Sequence, residues 1–162
     1  MEKDFTHFDS RGNAIMVDVS GKETTARSAA AGGVISMNSE AMKAILGGTV
    51  KKGDVFAVAR IAGIMAAKRC SDLIPLCHPL NFDECSVDFS VNEEKNEVEA
   101  VCHIKLSGKT GAEMEALTGV SAALLTVYDM CKAIDRAMVI GNIRLLEKSG
   151  GKSGHFVRLE KK

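Results

Sequence analysis

The sequence has no tryptophan, one tyrosine and two prolines, and its formal charge at neutral pH is zero. Each shortage excludes something. Aromatics make up 4% of the chain, too few for the stacking platforms that grip single-stranded nucleic acid. Lysine plus arginine number 21 and aspartate plus glutamate also 21, so no bulk positive charge is available for a duplex. Long apolar runs are missing too. The most apolar window, residues 61–67, ends at Lys68-Arg69 and is too short to cross a bilayer. The opening Met1-Glu2-Lys3-Asp4-Phe5 is charged, with no apolar stretch behind it. No secretory signal fits, and a cytoplasmic location is expected. The five cysteines (70, 77, 85, 102, 131) form no C-x-x-C pair, and the four histidines are scattered. Reduced thiols are expected, and no metal site.

What is present is ordinary globular composition, 46% hydrophobic and 26% charged in 162 residues. It fits a single domain over 1–162, with residues 1–13 as a flexible N-terminal arm. A strand is expected through about residues 24–37, with Gly32-Gly33 marking a bulge or a close approach. Asn38 or Ser39 can cap a short helix that Gly47-Gly48 stops. Asp54 caps a second helix running to about Cys70, in which Val58, Ile61, Met65 and Ala66 recur at helical spacing.

The only prolines, Pro75 and Pro79, bracket four residues and predict a stiff, extended segment holding Ile74 and His78. Period-two alternation over residues 83–91 and 98–106, joined by a polar turn at 92–96, predicts an antiparallel hairpin with one buried face. A long helix follows Gly111, with an apolar stripe of Met114, Leu117, Val120, Leu124, Val127, Tyr128, Cys131 and Ile134. Strands over 138–146 and 155–159 close the chain. This order predicts an α+β sandwich, with helices on one face of a mainly antiparallel sheet.

Gly108-Lys109-Thr110 and Gly151-Lys152-Ser153 look like the ends of phosphate-binding P-loops. Both lack the required earlier glycine, since His103 and Leu146 stand there. The first reads as a flexible turn. The second loop still offers Gly150, Gly151 and Gly154 for exposed N–H groups, and Lys148 and Lys152 for charge, a combination able to hold a phosphate.

Asp129 and Lys132 share a helix face. They are the only charged residues from Ala116 to Ala133, so they are expected to be enclosed and suited to acid–base work. Glu113 and Glu115 would point about 200° apart on a helix, yet share a face on an extended segment. If both serve one site, the helix should begin near Ala116; alternatively Thr110-Gly111-Ala112-Glu113 is a capping box. Glu115 and Asp129 lie roughly 21 Å apart along a continuous helix. Either they meet different ends of a long substrate or the site joins two subunits, and the second is favoured. His78, held by the prolines, is a credible positioned acid or donor. Cys77 beside it reads as packing or pocket wall, and Lys52 at a helix start can meet an anion.

The ordered runs are more specific than any of these single features. They include Lys52-Gly53-Asp54-Val55-Phe56, Asp72-Leu73-Ile74-Pro75-Leu76-Cys77-His78-Pro79-Leu80, and Gly108-Lys109-Thr110-Gly111 with Glu113-Met114-Glu115-Ala116-Leu117-Thr118. Tyr128-Asp129-Met130-Cys131-Lys132-Ala133 and Lys148-Ser149-Gly150-Gly151-Lys152-Ser153-Gly154 complete the set. Through them, from about Thr6 to Phe156, the chain resembles the cyclic pyranopterin monophosphate synthase family, molybdenum cofactor biosynthesis protein C. Mild departures are Cys70 and Ser107, where the family more often has threonine, and Ala112, where it more often has valine.

The resemblance implies a ferredoxin-like fold and a hexamer built as a trimer of dimers, with active sites between subunits. It implies a phosphorus–oxygen lyase that converts 3′,8-cyclo-7,8-dihydroguanosine 5′-triphosphate to cyclic pyranopterin monophosphate and pyrophosphate. Asp129 and Lys132 match the central acid–base pair, and Lys52, His78, Glu113 and Glu115 further active-site residues. Leu76, Cys77 and Met114 match pocket wall; Lys148, Lys152 and, more weakly, Arg27 would meet the triphosphate. No cofactor is implied beyond the Mg2+ that can accompany any triphosphate. Two other classes stand beside this one: a non-catalytic purine-nucleotide-binding regulator, and a hydrolase opening the guanine ring of GTP.

The zero net charge also conceals a sorted distribution. Residues 81–100 hold seven acids and one base, whereas residues 144–162 hold six bases and two acids. The acidic surplus falls on the hairpin and the basic surplus around the second glycine loop.

Overall fold

Alternation and capping decide most of the architecture. In a computed structural model describing residues 9–159, five strands form one antiparallel sheet ordered β2-β3-β1-β4-β5. The strands are β1 (Thr25–Ser36), β2 (Glu84–Asn92), β3 (Glu97–Gly108), β4 (Val139–Ser149) and β5 (Phe156–Val157). The helices are α1 (Ser39–Leu46), α2 (Val55–Lys68), α3 (Cys70–Leu73) and α4 (Glu113–Cys131). With α1 to α3 counted as one crossover, this is the β-α-β-β-α-β order of a ferredoxin-like sandwich. No helix among the described residues is long and apolar enough to cross a membrane. The arm expected over 1–13 falls largely outside the described residues. Asp9, within them, accepts the backbone N–H groups of Arg11 and Asn13 at 2.8 Å each.

The expected caps are in place. Asn38 accepts the Ala41 N–H at 2.8 Å and Asp54 that of Ala57 at 3.0 Å, each satisfying an orphan donor. Gly48, at φ +62°, takes the chain away from α1. In β3, Val98, Ala100, Cys102, Ile104 and Leu106 are all buried, as their alternation requires. Gly32-Gly33 does both things expected of it. The β1–β4 register shifts there, and a Cβ on Gly33 would come within 2.8 Å of Leu124 of α4.

Five expectations are corrected. In α2, the large apolar residues Val58, Ile61 and Met65 point outward, and Val55, Ala59, Gly63 and Ala67 face the core. The reason is close packing. A Cβ on Gly63 would lie 2.9 Å from the Gly119 carbonyl oxygen, so α2 and α4 can approach only through small residues. For the same reason α4 buries Ala116, Gly119 and Ala123 beside Val120, Leu124 and Val127, while Met114 stays out of the stripe. The proline segment is not wholly extended. Pro75-Leu76 form a turn closed by Cys77 N–H donating to Ile74 O at 3.1 Å, a position that suits proline's fixed φ. Finally, β4 runs to Ser149 instead of ending at 146, because β1 extends far enough to pair Ala29 with Lys148 and Ser28 with Ser149. β5 is only two residues long.

Candidate active site

The ends of β1 and β4 and the loop before α4 enclose a cavity of about 740 Å3. Its roof is the turn after β4, where Gly150 and Gly151 have φ of +89° and +73°. A side chain at either would be strained, and would also meet the Ala26–Arg27 backbone or the Arg27 guanidinium. Arg27 braces this end of the sheet. Its Nε donates to Gly108 O at 2.9 Å and its Nη2 to Lys109 O at 3.1 Å. Lys148 and Lys152 line the cavity as expected, and Lys22 and Lys109 join them. With Arg27 that makes five basic side chains against two acidic ones, Glu23 and Glu113.

Lys22 and Lys109 escaped sequence reasoning. Lys109 carries a usable signal, a lysine among glycines, but its loop reads as a bare turn. In the fold its Nζ donates to Ser20 O at 2.7 Å, fastening that turn to the segment that carries Lys22. Lys22 itself has no local pattern to mark it.

A second cavity of about 300 Å3 shares Lys22, Thr110, Gly111 and Glu113 with the first. Here the expected Leu76, Cys77, His78, Met114 and Glu115 come together. The helix does not start near Ala116, however. α4 begins at Glu113, and no side chain caps it, so the capping box is absent too. Both glutamates reach one cleft because the first turn of α4 lies where the cavities join. Glu113 borders both, and Glu115 only the smaller. Lys148 Nζ stands 3.9 Å from Glu113 Oε1 and also contacts Ser153 Oγ.

Glu115 is 4% exposed, and burial raises its carboxyl pKa, with the charge of Glu113 adding to the effect. Burial likewise raises the Cys77 thiol, helped by the charge of Glu115. That favours pocket wall over nucleophile for Cys77.

Asp129, Lys132 and Lys52 form a separate ion triad. Lys52 Nζ lies 2.6 Å from Asp129 Oδ2, and Lys132 Nζ lies 2.7 Å from Oδ1. Hydrogen bonds from Lys132 and then Lys52 pull the Asp129 pKa down to about 2. The expected enclosure is not found in the single chain, where the Asp129 side chain is 54% exposed. The C-terminal turn of α4 buries Val127, Met130 and Cys131, which leaves position 129 on the outer face. Lys52 also folds across to Asp129, including its backbone carbonyl at 2.9 Å, and does not wait at the start of α2 for an anion. None of the three lines either cavity.

Fold and site together define a ferredoxin-like α+β protein with a cationic cleft, a wall of carboxyls and a histidine beside it, and a charged triad at the far end of one helix. The MoaC family model matches residues 16–151. The chain is 59% identical to the cyclic pyranopterin monophosphate synthase of Clostridium botulinum (strain Alaska E43 / Type E3), over 97% of this chain and 99% of that protein. It is 56% identical to the same-named protein of Heliobacterium modesticaldum, over 96% and 98%. For that of Pelotomaculum thermopropionicum the figures are 57%, 94% and 90%. The chain belongs to the MoaC family.

Proposed function

We propose that this chain converts 3′,8-cyclo-7,8-dihydroguanosine 5′-triphosphate to cyclic pyranopterin monophosphate and pyrophosphate. The activity in its broad form, cyclic pyranopterin monophosphate synthesis by a lyase of molybdenum cofactor biosynthesis, follows from family membership and from identity over nearly the full length. The observation that carries the finer reading is the joined pair of cavities, one cationic and one lined by carboxyls and a histidine.

In this reading the triphosphate lies in the larger cavity against Lys148, Lys152, Lys22, Lys109 and Arg27. The purine-derived ring lies in the smaller, walled by Leu76, Cys77 and Met114. Rearranging that ring moves protons on and off nitrogen and carbon with no net redox change, and His78, Glu113 and Glu115 are placed to exchange them. Glu115, with its raised pKa, serves as the donor. Closing the cyclic phosphate requires a ribose hydroxyl to attack the α-phosphorus. One O–P bond forms, the bond to pyrophosphate breaks, and the hydroxyl proton goes to a base. The lysines stabilise the charge that builds on the phosphoryl oxygens and the leaving group.

Asp129, Lys132 and Lys52 act in the same chemistry from a neighbouring subunit. Two features support this reading: the length of α4, and the outward apolar residues Val58, Ile61, Met65 and Leu125 on α2 and α4, which suit a subunit contact. The assembly proposed is a hexamer, a trimer of dimers. The deciding experiment incubates the protein with GTP alone and with the cyclised triphosphate, following pyrophosphate release and product mass. Turnover of the cyclised triphosphate alone is expected; rapid consumption of GTP alone would overturn the reading.

A further inference from the structure

Seven positions separate Cys70 from Cys77, and another thirty-eight separate Cys77 from Glu115, yet the fold gathers all three. Their Sγ and carboxylate oxygen atoms lie within 4.8 Å of one another. α3 carries Cys70, the Pro75-Leu76 turn brings Cys77 back towards it, and the first turn of α4 supplies Glu115. We propose that Cys70, Cys77 and Glu115 form a binding site for a thiophilic divalent cation of the zinc type, reached through the smaller cavity. This goes beyond the synthase reading, which gives Cys70 no part.

The donor set fits such an ion. Two thiolates and one carboxylate are ligands that zinc accepts, and three protein ligands leave a fourth position open. That position faces the cavity, because Cys77 and Glu115 line it. At Zn–S distances near 2.3 Å, tetrahedral ligands stand about 3.8 Å apart. The three side chains therefore close by about 1 Å at most, within reach of small side-chain rotations.

The second observation is electrostatic. Glu115 is almost wholly buried and has no ion pair among the described residues. A divalent cation there would supply the positive partner that this buried carboxyl lacks. Cys70 makes one other polar contact, Thr118 Oγ1 at 3.4 Å, which suits an outer partner orienting a ligand.

The ion would take the Glu115 carboxylate and stand against the wall of the smaller cavity. Occupancy should therefore inhibit synthesis and be reversed by a chelator. The test is a Co2+ titration of the reduced full chain, watching the sulfur-to-cobalt charge-transfer and visible ligand-field bands. One tetrahedral Co2+ per chain, displaced by Zn2+, is expected. Cys70→Thr should keep turnover, since Cys70 touches neither cavity. It should weaken Co2+ binding by more than the ~10–100-fold that loss of an outer partner costs. Cys85→Ser should leave the bands unchanged. An absent charge-transfer band in the parent chain, or a band of equal affinity in Cys70→Thr, overturns the site. The cobalt bands are read without turnover, so failure of the synthase reading leaves the binding result intact, and the reverse also holds.

Discussion

Glu115 and Asp129 stand at opposite ends of one unbroken helix, fourteen residues and ~21 Å apart. One is sealed in a cavity wall and the other lies open to solvent between two lysines. If both serve one reaction, each site needs two chains. Glu115→Gln and Asp129→Asn should each lower kcat by ~10²–10⁴, the usual weight of a proton-transfer group. Mixed after dissociation and reassembly, the two inactive proteins should recover about a quarter of wild-type activity. Half of randomly paired dimers are mixed, and one of the two sites in each is intact. No recovery in verified mixed oligomers counts against shared sites.

Lys152 lines the cationic cavity and not the smaller one. Lys152→Ala should therefore act on affinity, raising KM about tenfold, equivalent to about 1.4 kcal/mol. Added salt should raise KM in the parent more than in the variant, since screening has already lost one of its targets. Initial rates at several ionic strengths measure both effects. A loss confined to kcat would move Lys152 into the chemistry.

Asp129 has its pKa lowered to about 2 by Lys132 and Lys52. A lowered carboxyl pKa stabilises the fold above the ordinary value of 3.8, and that support fades as pH falls toward 2. Asp129 should thus stay ionised throughout the range in which the protein is active. Any acid limb in the rate must come from another group. Carbonyl-carbon NMR of the side chain should titrate near 2, and Lys132→Met or Lys52→Met should move the midpoint upward. An unchanged midpoint in both variants would refute the triad.

Asp135 is a buried carboxylate with a purely structural task. Oδ2 accepts the Asn38 N–H at 2.7 Å and Oδ1 accepts that of Ala137 at 2.8 Å. Asp135→Ala leaves two donors without partners and should cost about 1–3 kcal/mol for each left buried. Thermal unfolding should show a fall of roughly 2–4 °C per kcal/mol for a domain of this size. Gly119→Val should be destabilised as well, because a Cβ there already lies 2.7 Å from Cys102 Sγ.

Most of the sheet was readable because alternation is local: Val98 to Leu106 declare their own face. The caps at Asn38 and Asp54 were readable for the same reason. The faces of α2 and α4 were not, since large apolar residues look like core until the partner helix is known. Gly63 and Gly119 reserve the contact for small side chains, and no single helix carries that information. The site divides in the same way. Lys148 and Lys152 announce themselves beside glycines. Lys22 enters the cavity lining only in the fold, where Lys109 ties the two loops together. The cluster of Cys70, Cys77 and Glu115 is likewise invisible to spacing, because it is made by a turn and a helix start far apart in the chain.

The sheet also ends in two unlike margins. β2 is an edge strand whose outer face and turn expose Glu84, Asp88, Glu93 and Glu94, while β5 offers only two residues. An acidic edge repels its own copy, whereas residues 139–146 of β4, which β5 does not cover, keep an outer edge that no strand pairs among the described residues. Growth strand by strand is therefore opposed at the β2 margin and left open at the β4 margin.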